Sequence, residues 1–185
     1  MADMPLVAVL AAGLGTRFGG GKLEAVCAGK PLGRWCVEAA EQALAPGVIV
    51  TGPDGVSFVE GWAKLINPRP EEGLGSSLAL AARHALRLEV SALLVVLADM
   101  PLVTPGYIRD LADSTAPAAT RHADGRAGVP ALLDRALLTR AALLDGDRGA
   151  GPLLAGATLL DPPPGILRDV DTPAALAEVE AILSR

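Results

Sequence analysis

The chain has 185 residues, of which 51% are hydrophobic, 20% charged and 3% aromatic; that length suits one core, and the composition excludes intrinsic disorder. A net charge of −5 offers no general attraction for polynucleotide phosphate, so nucleic acid is not expected as a partner and any nucleotide contact must be local to a site. The longest uncharged apolar stretch, Val90 to Ala98, is interrupted by Ser91 and falls far short of the roughly 20 residues that cross a bilayer, so no membrane association is expected.

The first strand is predicted over Leu6–Leu10, apolar throughout as a strand buried on both faces should be. Ahead of it an acidic residue, Asp3, stands where a secretory signal would carry positive charge, and the cytoplasm is the expected location. A helix follows over Pro31–Leu44, then strands over Val48–Thr51 and Leu65–Asn67. The stretch Ser76–Leu88 places apolar residues three and four apart and reads as a second helix, and Ala92–Ala98 is the strongest central strand. Thr104 before Pro105 marks a helix start, because threonine can cap a free backbone N–H while proline at the first helical position loses nothing. Weaker strands are predicted over Ala118–Arg121, Val129–Leu133 and Ala157–Leu160, with Pro162–Pro164 as a stiff connector. Thr172-Pro173 repeats the start signal for a terminal helix over Ala174–Leu183. Strands alternating with helices predict an α/β fold with a mostly parallel sheet, and no repeat or linker divides it, so one domain is expected over residues 1–185.

The first strand runs into Leu10-Ala11-Ala12-Gly13-Leu14-Gly15-Thr16-Arg17-Phe18-Gly19-Gly20-Gly21-Lys22. Such a loop can turn backbone N–H groups towards an anion and let it approach closely. Arg17 and Lys22 add formal charge for a triphosphate, the arginine being able to grip two oxygens at once. A dinucleotide fingerprint would need glycine at Phe18, and a Walker A loop would need glycine at Thr16 and a hydroxyl at Leu23, so neither motif applies.

Asp99 closes the strongest strand in Leu97-Ala98-Asp99-Met100-Pro101. The carboxyl edge of a parallel sheet is where open α/β folds bind ligands, so Asp99 is the first candidate metal ligand; its alternative is to cap the turn at Pro101. Asp169-Val170-Asp171-Thr172 supplies two more carboxylates, which share a side if the segment is extended. The alternative is that Asp171 and Thr172 merely cap the last helix. Asn67, with Gly75, Ser76 and Ser77, offers a further loop for base, ribose or phosphate, although Ser76 could equally cap its helix. His84 reads as a packed helical residue and His122 as a loop residue beside Asp124 and Arg126, and neither is assigned a catalytic role. Cys27 and Cys36 lack a His or second Cys pair nearby and are expected to be free thiols. No nucleophile elbow or Ser-His-Asp order is visible.

Together these residues resemble the MobA-like nucleotidyltransferase family. Its opening strand is followed by LAAG or LAGG, a small residue, an arginine and GxxK, as in Leu10 to Lys22, with Phe18 where Met is usual. The likeness continues through Lys30-Pro31-Leu32, Asn67-Pro68, Gly73 to Ser77, Leu97 to Pro101, Gly146 to Ala150 and Asp169 to Pro173. It implies a three-layer α/β/α fold with a Rossmann-like sheet of the nucleotide-diphospho-sugar transferase type. It also implies Mg²⁺ on Asp99 and Asp171, and catalytic roles for Arg17, Lys22 and Asp99. The nucleotide would be bound by Leu10, Ala11, Ala12, Gly13, Gly15, Thr16, Lys22, Asn67, Gly75, Ser76 and Ser77. Ala12 is typical of members that resemble the CTP-using enzyme, so CTP is favoured. The implied acceptor is a phosphorylated small molecule, molybdopterin in the molybdenum cofactor first, with a molybdoenzyme or its chaperone receiving the product. Val129 stands where a histidine usually precedes Pro130, in the region that faces the acceptor. Two rival readings are a sugar-phosphate or other cofactor-precursor nucleotidyltransferase and a non-catalytic nucleotide-binding accessory protein.

Overall fold

The computed structural model describes residues 4–144 and 151–184. Its elements run β1 Leu6–Ala11, β2 Val26–Cys27, β3 Lys30–Pro31, α1 Leu32–Ala43, β4 Val48–Thr51, β5 Ala63–Ile66, α2 Leu74–Arg87 and β6 Ala92–Leu97. There follow α3 Pro105–Ala112, β7 Ala118–Arg121, β8 Ala127–Asp134, α4 Arg135–Ala141, β9 Thr158–Leu160 and α5 Pro173–Leu183. Seven strands form one sheet in the order β5-β4-β1-β6-β8-β7-β9, and β2 pairs with β3 as a separate ribbon.

Alternation along the central strands explains the three layers. Val7, Val9 and Ala11 of β1 pack on the face that carries Cys36, Val37 and Ala40 of α1 and Ile108 and Leu111 of α3. Ala8 and Leu10 point the other way, against Leu78, Ala82 and Ala85 of α2 and Leu137, Leu138 and Ala141 of α4. A strand covered on both faces has no polar side, which is why β1 and β6 read as unbroken apolar runs. The fold is therefore the α/β/α sandwich the sequence leads one to expect, with two additions. The five-residue link from β7 to β8 is too short for a parallel crossover, so β8 runs antiparallel and inserts between β6 and β7. Helix α4 is short but well started, the Asp134 carboxylate accepting from the Leu137 N–H at 2.8 Å.

Strands β4, β1 and β6 are parallel, and the chain moves outwards from β1 to β4 and β5 before α2 carries it back to β6 on the other side. The reversal opens a crevice at the carboxyl ends of β1 and β6, the place where this topology binds ligands. No helix of the described residues is long and apolar enough to cross a membrane.

Candidate active site

The glycine loop leaves β1 and folds back on itself. Gly15, Gly19, Gly20 and Gly21 all have positive φ, between 58° and 96°, a conformation that a side chain strains. Gly15 closes a tight turn through Phe18 N–H to Gly15 O at 2.9 Å and Gly20 N–H to the same oxygen at 3.1 Å. The turn delivers Lys22 into the crevice, where its side chain is 7% exposed.

Two long-range contacts complete the arrangement. The Val170 N–H donates to the Asp99 carbonyl at 3.0 Å, tying the Asp169–Asp171 segment to the end of β6. Val170 is fully buried under α5, among Cys27, Leu32 and Val179, which turns its two neighbours the other way, towards the crevice. Lys22 Nζ then donates to Asp99 Oδ2 at 2.7 Å and to Asp171 Oδ1 at 3.0 Å. Arg17 approaches Asp171 Oδ2 at 3.1 Å from the solvent side. Asp99 does not cap the Pro101 turn, and the last helix is capped by Thr172, whose hydroxyl accepts from the Ala175 N–H at 3.2 Å. Asp171 is left to the site.

Charge organises this cluster. Burial pushes the Lys22 ammonium down, but the charge of Asp99 and its hydrogen bonds to Asp99 and Asp171 outweigh burial and hold it above the ordinary lysine value. The hydrogen bond from Lys22, with the charges of Lys22 and Arg17, keeps the Asp171 carboxyl below the usual range despite some burial. Asp169 is the opposite case. Its side chain reaches solvent, yet the crowded wall around it pushes the carboxyl up, as do the charges of Asp99 and Asp171, against the pull of Lys22 and His122. A carboxyl raised in the folded state costs stability above that raised value and nothing below its unfolded value of about 3.9. Asp169→Asn is therefore expected to stabilise the protein near neutral pH, by less than about 1 kcal/mol because the charge is screened. The gain disappears as the pH falls through about 4, and urea unfolding on either side of that pH checks it.

Two cavities border the cluster, one at Asp99 and the other at Asp169. The first, of about 370 Å³, is lined by Leu10, Ala11, Ala12, Gly13, Gly15, Thr16, Lys22 and Ser77 among the residues expected to bind nucleotide, and by Asp99, expected as a metal ligand. Leu14 and Leu23, from the glycine loop and its exit, and Pro70, Glu71, Gly73 and Leu74, from the turn into α2, also form its wall; no motif marks Pro70 and Glu71, which that turn brings in. Asn67, Gly75 and Ser76 stand behind that wall. The Asn67 amide donates to Ser76 Oγ at 2.8 Å and Ser77 Oγ at 3.0 Å, and its oxygen accepts from the Arg69 N–H at 3.0 Å. Helix α2 starts earlier than expected, at Leu74, so Ser76 lies within its first turn and donates to Gly73 O at 2.8 Å instead of capping it.

The second cavity, of about 560 Å³, opens beyond the carboxyl ends of β7 and β9 and is lined by Arg121, His122, Pro162–Pro164, Leu167, Arg168 and Asp169. His122, which the sequence reading leaves as a loop residue, belongs here. Its ring lies against Gly128, where a Cβ would come within 2.5 Å of Nε2. Nε2 is 2.9 Å from the Val129 carbonyl; a carbonyl only accepts, so this nitrogen carries hydrogen. The available signal was position: His122 directly follows a strand that ends at the same edge as Asp99. His84 instead lies on α2, close to Arg87. Cys27 and Cys36 are free and buried, burial and the charge of Asp99 pushing the Cys36 thiol up to about 12. The segment Gly146–Ala150 lies outside the described residues.

The donor set suits a small hard cation. Asp99 and Asp171 direct carboxylate oxygens at a single point, and magnesium or manganese prefers such oxygens. Among the described residues no three His, Cys, Asp or Glu side chains form a closed metal cage; one or two carboxylates completed by water and substrate phosphate is the usual magnesium arrangement. Three carboxylates also face only two cationic side chains here, which leaves the cluster unattractive to a triphosphate until a cation is added.

The fold recurs in solved structures. Rv0371c from Mycobacterium tuberculosis superposes with a TM-score of 0.84 at 23% identity, covering 98% of this chain and 99% of that one, and it has also been solved as a manganese complex. The molybdopterin-guanine dinucleotide biosynthesis protein A from Archaeoglobus fulgidus gives 0.71 at 22% identity over 96% of this chain and 98% of the other. A curated relative, the bifunctional enzyme IspD/IspF of Caulobacter vibrioides, is 38% identical over 109 residues, which are 57% of this chain and 26% of that enzyme. The MobA-like NTP transferase domain matches residues 7–161, from the first strand through the glycine loop and Asp99 to the end of β9, and the chain belongs to that family.

Proposed function

We propose that this cytoplasmic enzyme moves a nucleotidyl group, CMP from CTP favoured by Ala12, onto a phosphorylated small molecule, molybdopterin in the molybdenum cofactor being the first choice. The observation that carries this reading is that two cavities share one carboxylate cluster, Asp99 lining the first and Asp169 the second. A transfer between two substrates needs this layout. The triphosphate lies along the glycine loop with its phosphates towards Lys22 and Arg17, and the acceptor approaches from the side of Arg121, His122 and Arg168. An acceptor phosphate oxygen attacks the α-phosphorus, the bond from that phosphorus to the bridging oxygen breaks, and pyrophosphate leaves.

An acceptor monoester is already largely ionised at neutral pH, so no base has to remove a proton. The protein's task is alignment and neutralisation. Backbone N–H groups of the glycine loop orient the phosphates, and Lys22 and Arg17 offset charge on the triphosphate and on departing pyrophosphate. Asp99 and Asp171 would hold Mg²⁺, which when bound supplies further charge neutralisation on the phosphates. A molybdoenzyme or its chaperone is the proposed recipient of product.

A second reading keeps the reaction and changes the acceptor to a sugar phosphate or another cofactor precursor. Val129 favours it, because its apolar side chain is buried in the core on the α2 and α4 side of the sheet and it meets His122 through its backbone carbonyl.

Thermal unfolding with Mg²⁺ and each of CTP, GTP, ATP and UTP tests the nucleotide assignment without an acceptor. At about one hundred times its dissociation constant a ligand adds roughly 2.7 kcal/mol, enough to move a domain of this size by several degrees. The expected result is a selective, magnesium-dependent shift with CTP that Arg168→Ala in the second cavity retains. A shift with no nucleotide would remove the assignment of the first cavity.

A further inference from the structure

Lys22 is the most enclosed cation of the site, and its ammonium is held between carboxylates. It opens a single 3₁₀ turn, Lys22–Glu24, with Leu23 buried behind it. Its stem passes under Gly15, where a Cβ would lie 3.1 to 3.4 Å from Lys22 Cγ, Cδ and Cβ. Its ammonium sits between Asp99 Oδ2 and Asp171 Oδ1, at 2.7 and 3.0 Å. Those are the two carboxylates to which the proposed function assigns the divalent cation. One pair of oxygens cannot hold an ammonium and a metal ion at the same point.

We propose that Lys22 is the exchangeable counter-cation of the Asp99–Asp171 pair. It holds the carboxylates together in the free protein and gives them up to a divalent cation as its own ammonium moves to the phosphates of the bound triphosphate. The inference rests on the metal assignment above and goes beyond it, since it gives one lysine two successive partners.

Three observations support the exchange. Without a cation between them Asp99 and Asp171, with Asp169 beside them, repel one another, so a resident positive charge is what lets the pair converge before metal arrives. Lys22 also lines the cavity assigned to the nucleotide, together with Asp99 and the glycine loop, so that cavity opens beside its side chain. Arg17 remains on the outer oxygen of Asp171, Oδ2, at 3.1 Å, which leaves one cation to keep that carboxylate oriented during the exchange.

Competition of this kind is reciprocal: if metal weakens the hold on Lys22, Lys22 weakens metal binding by the same factor. Lys22→Met should therefore bind a divalent cation more tightly than the wild type when no nucleotide is present. The measurement is titration with Mn²⁺, following the spectrum of free Mn²⁺ by electron paramagnetic resonance, on wild type, Lys22→Met and Asp99→Asn. The expected result is at least about fivefold tighter binding by Lys22→Met, the lower end of ordinary coupling between sites, and much weaker binding by Asp99→Asn. Equal or weaker binding by Lys22→Met, with Asp99→Asn still impaired, overturns the exchange and leaves the metal assignment standing. Unimpaired binding by Asp99→Asn overturns both.

Should Lys22→Met fail to fold, the wild type carries the test. The Nζ resonance of ¹⁵N-labelled Lys22 is expected to shift when Mg²⁺ alone reaches saturation. A resonance that stays unchanged shows that Lys22 keeps its carboxylates and overturns the proposal.

Discussion

Asp99→Asn is expected to lower nucleotidyl transfer by about three orders of magnitude, the scale of losing a principal charge-stabilising group, while the protein stays folded. The reason for both halves is where Asp99 makes its contacts. Its backbone carbonyl receives the Val170 N–H at 3.0 Å, and this bond, which positions the Asp169–Asp171 segment, survives the substitution. Asparagine keeps an oxygen able to accept from Lys22 Nζ, so the crevice retains its shape. What is lost is a formal charge, and with it the proposed hold on a divalent cation. Turnover of the proposed substrates, CTP with molybdopterin as acceptor, read beside the unfolding midpoint, separates the two effects. Activity within tenfold of wild type in a folded Asp99→Asn protein would remove Asp99 from the chemistry.

The second large effect is on stability and falls far from the chemistry. Gly47→Ala should cost about 3 kcal/mol, in the range of severe overpacking. A Cβ at residue 47 would sit 2.1 Å from the Val7 carbonyl oxygen, 2.7 Å from Val7 Cγ1 and 3.0 Å from its carbonyl carbon. The oxygen and carbon belong to the backbone of β1 and cannot swing aside. Relief requires β4 to move away from β1, the strand that carries the glycine loop. At roughly 2 to 4 °C per kcal/mol for a domain of this size, the midpoint should fall by about 6 to 12 °C. Gly13→Ala is the control, because nothing lies within 4 Å of its Cβ position and its stability should stay within about 0.5 kcal/mol of wild type. A Gly47→Ala protein as stable as that control would show that the two strands are not packed as closely as described.

Both predictions follow from elements whose presence is legible in the sequence. The strands β1, β4 and β6 and the starts of α3 and α5 are written in apolar runs and Thr-Pro pairs, because a strand buried on both faces and a capped helix each impose a local requirement on residue type. Asp99 at the end of a buried strand and glycines after the first one could be singled out for the same reason. The β2–β3 ribbon could not. It turns through Ala28 and Gly29, both at positive φ, and a two-residue strand leaves no periodicity to detect. Nor could the partners of Asn67: its type and place in a loop suit ligand binding, and only the folded chain brings its amide onto the hydroxyls of Ser76 and Ser77.

By itself, then, the sequence determined the fold class, the glycine loop and the three candidate charges Lys22, Asp99 and Asp171, since each is marked by composition or by position next to an apolar run. Only the tertiary structure decided that these charges meet. Lys22 is 77 residues from Asp99 and 149 from Asp171, and their meeting depends on the strand order, on the turn through Gly15 and on a single backbone bond from Val170 to Asp99. The second cavity was decided in the same way, by β8 inserting between β6 and β7 and thereby carrying His122 to the edge that Asp99 occupies. Local pattern fixes which face of an element is buried, but pairing across such separations is set by how the whole sheet closes its core, and no short stretch of residues records it.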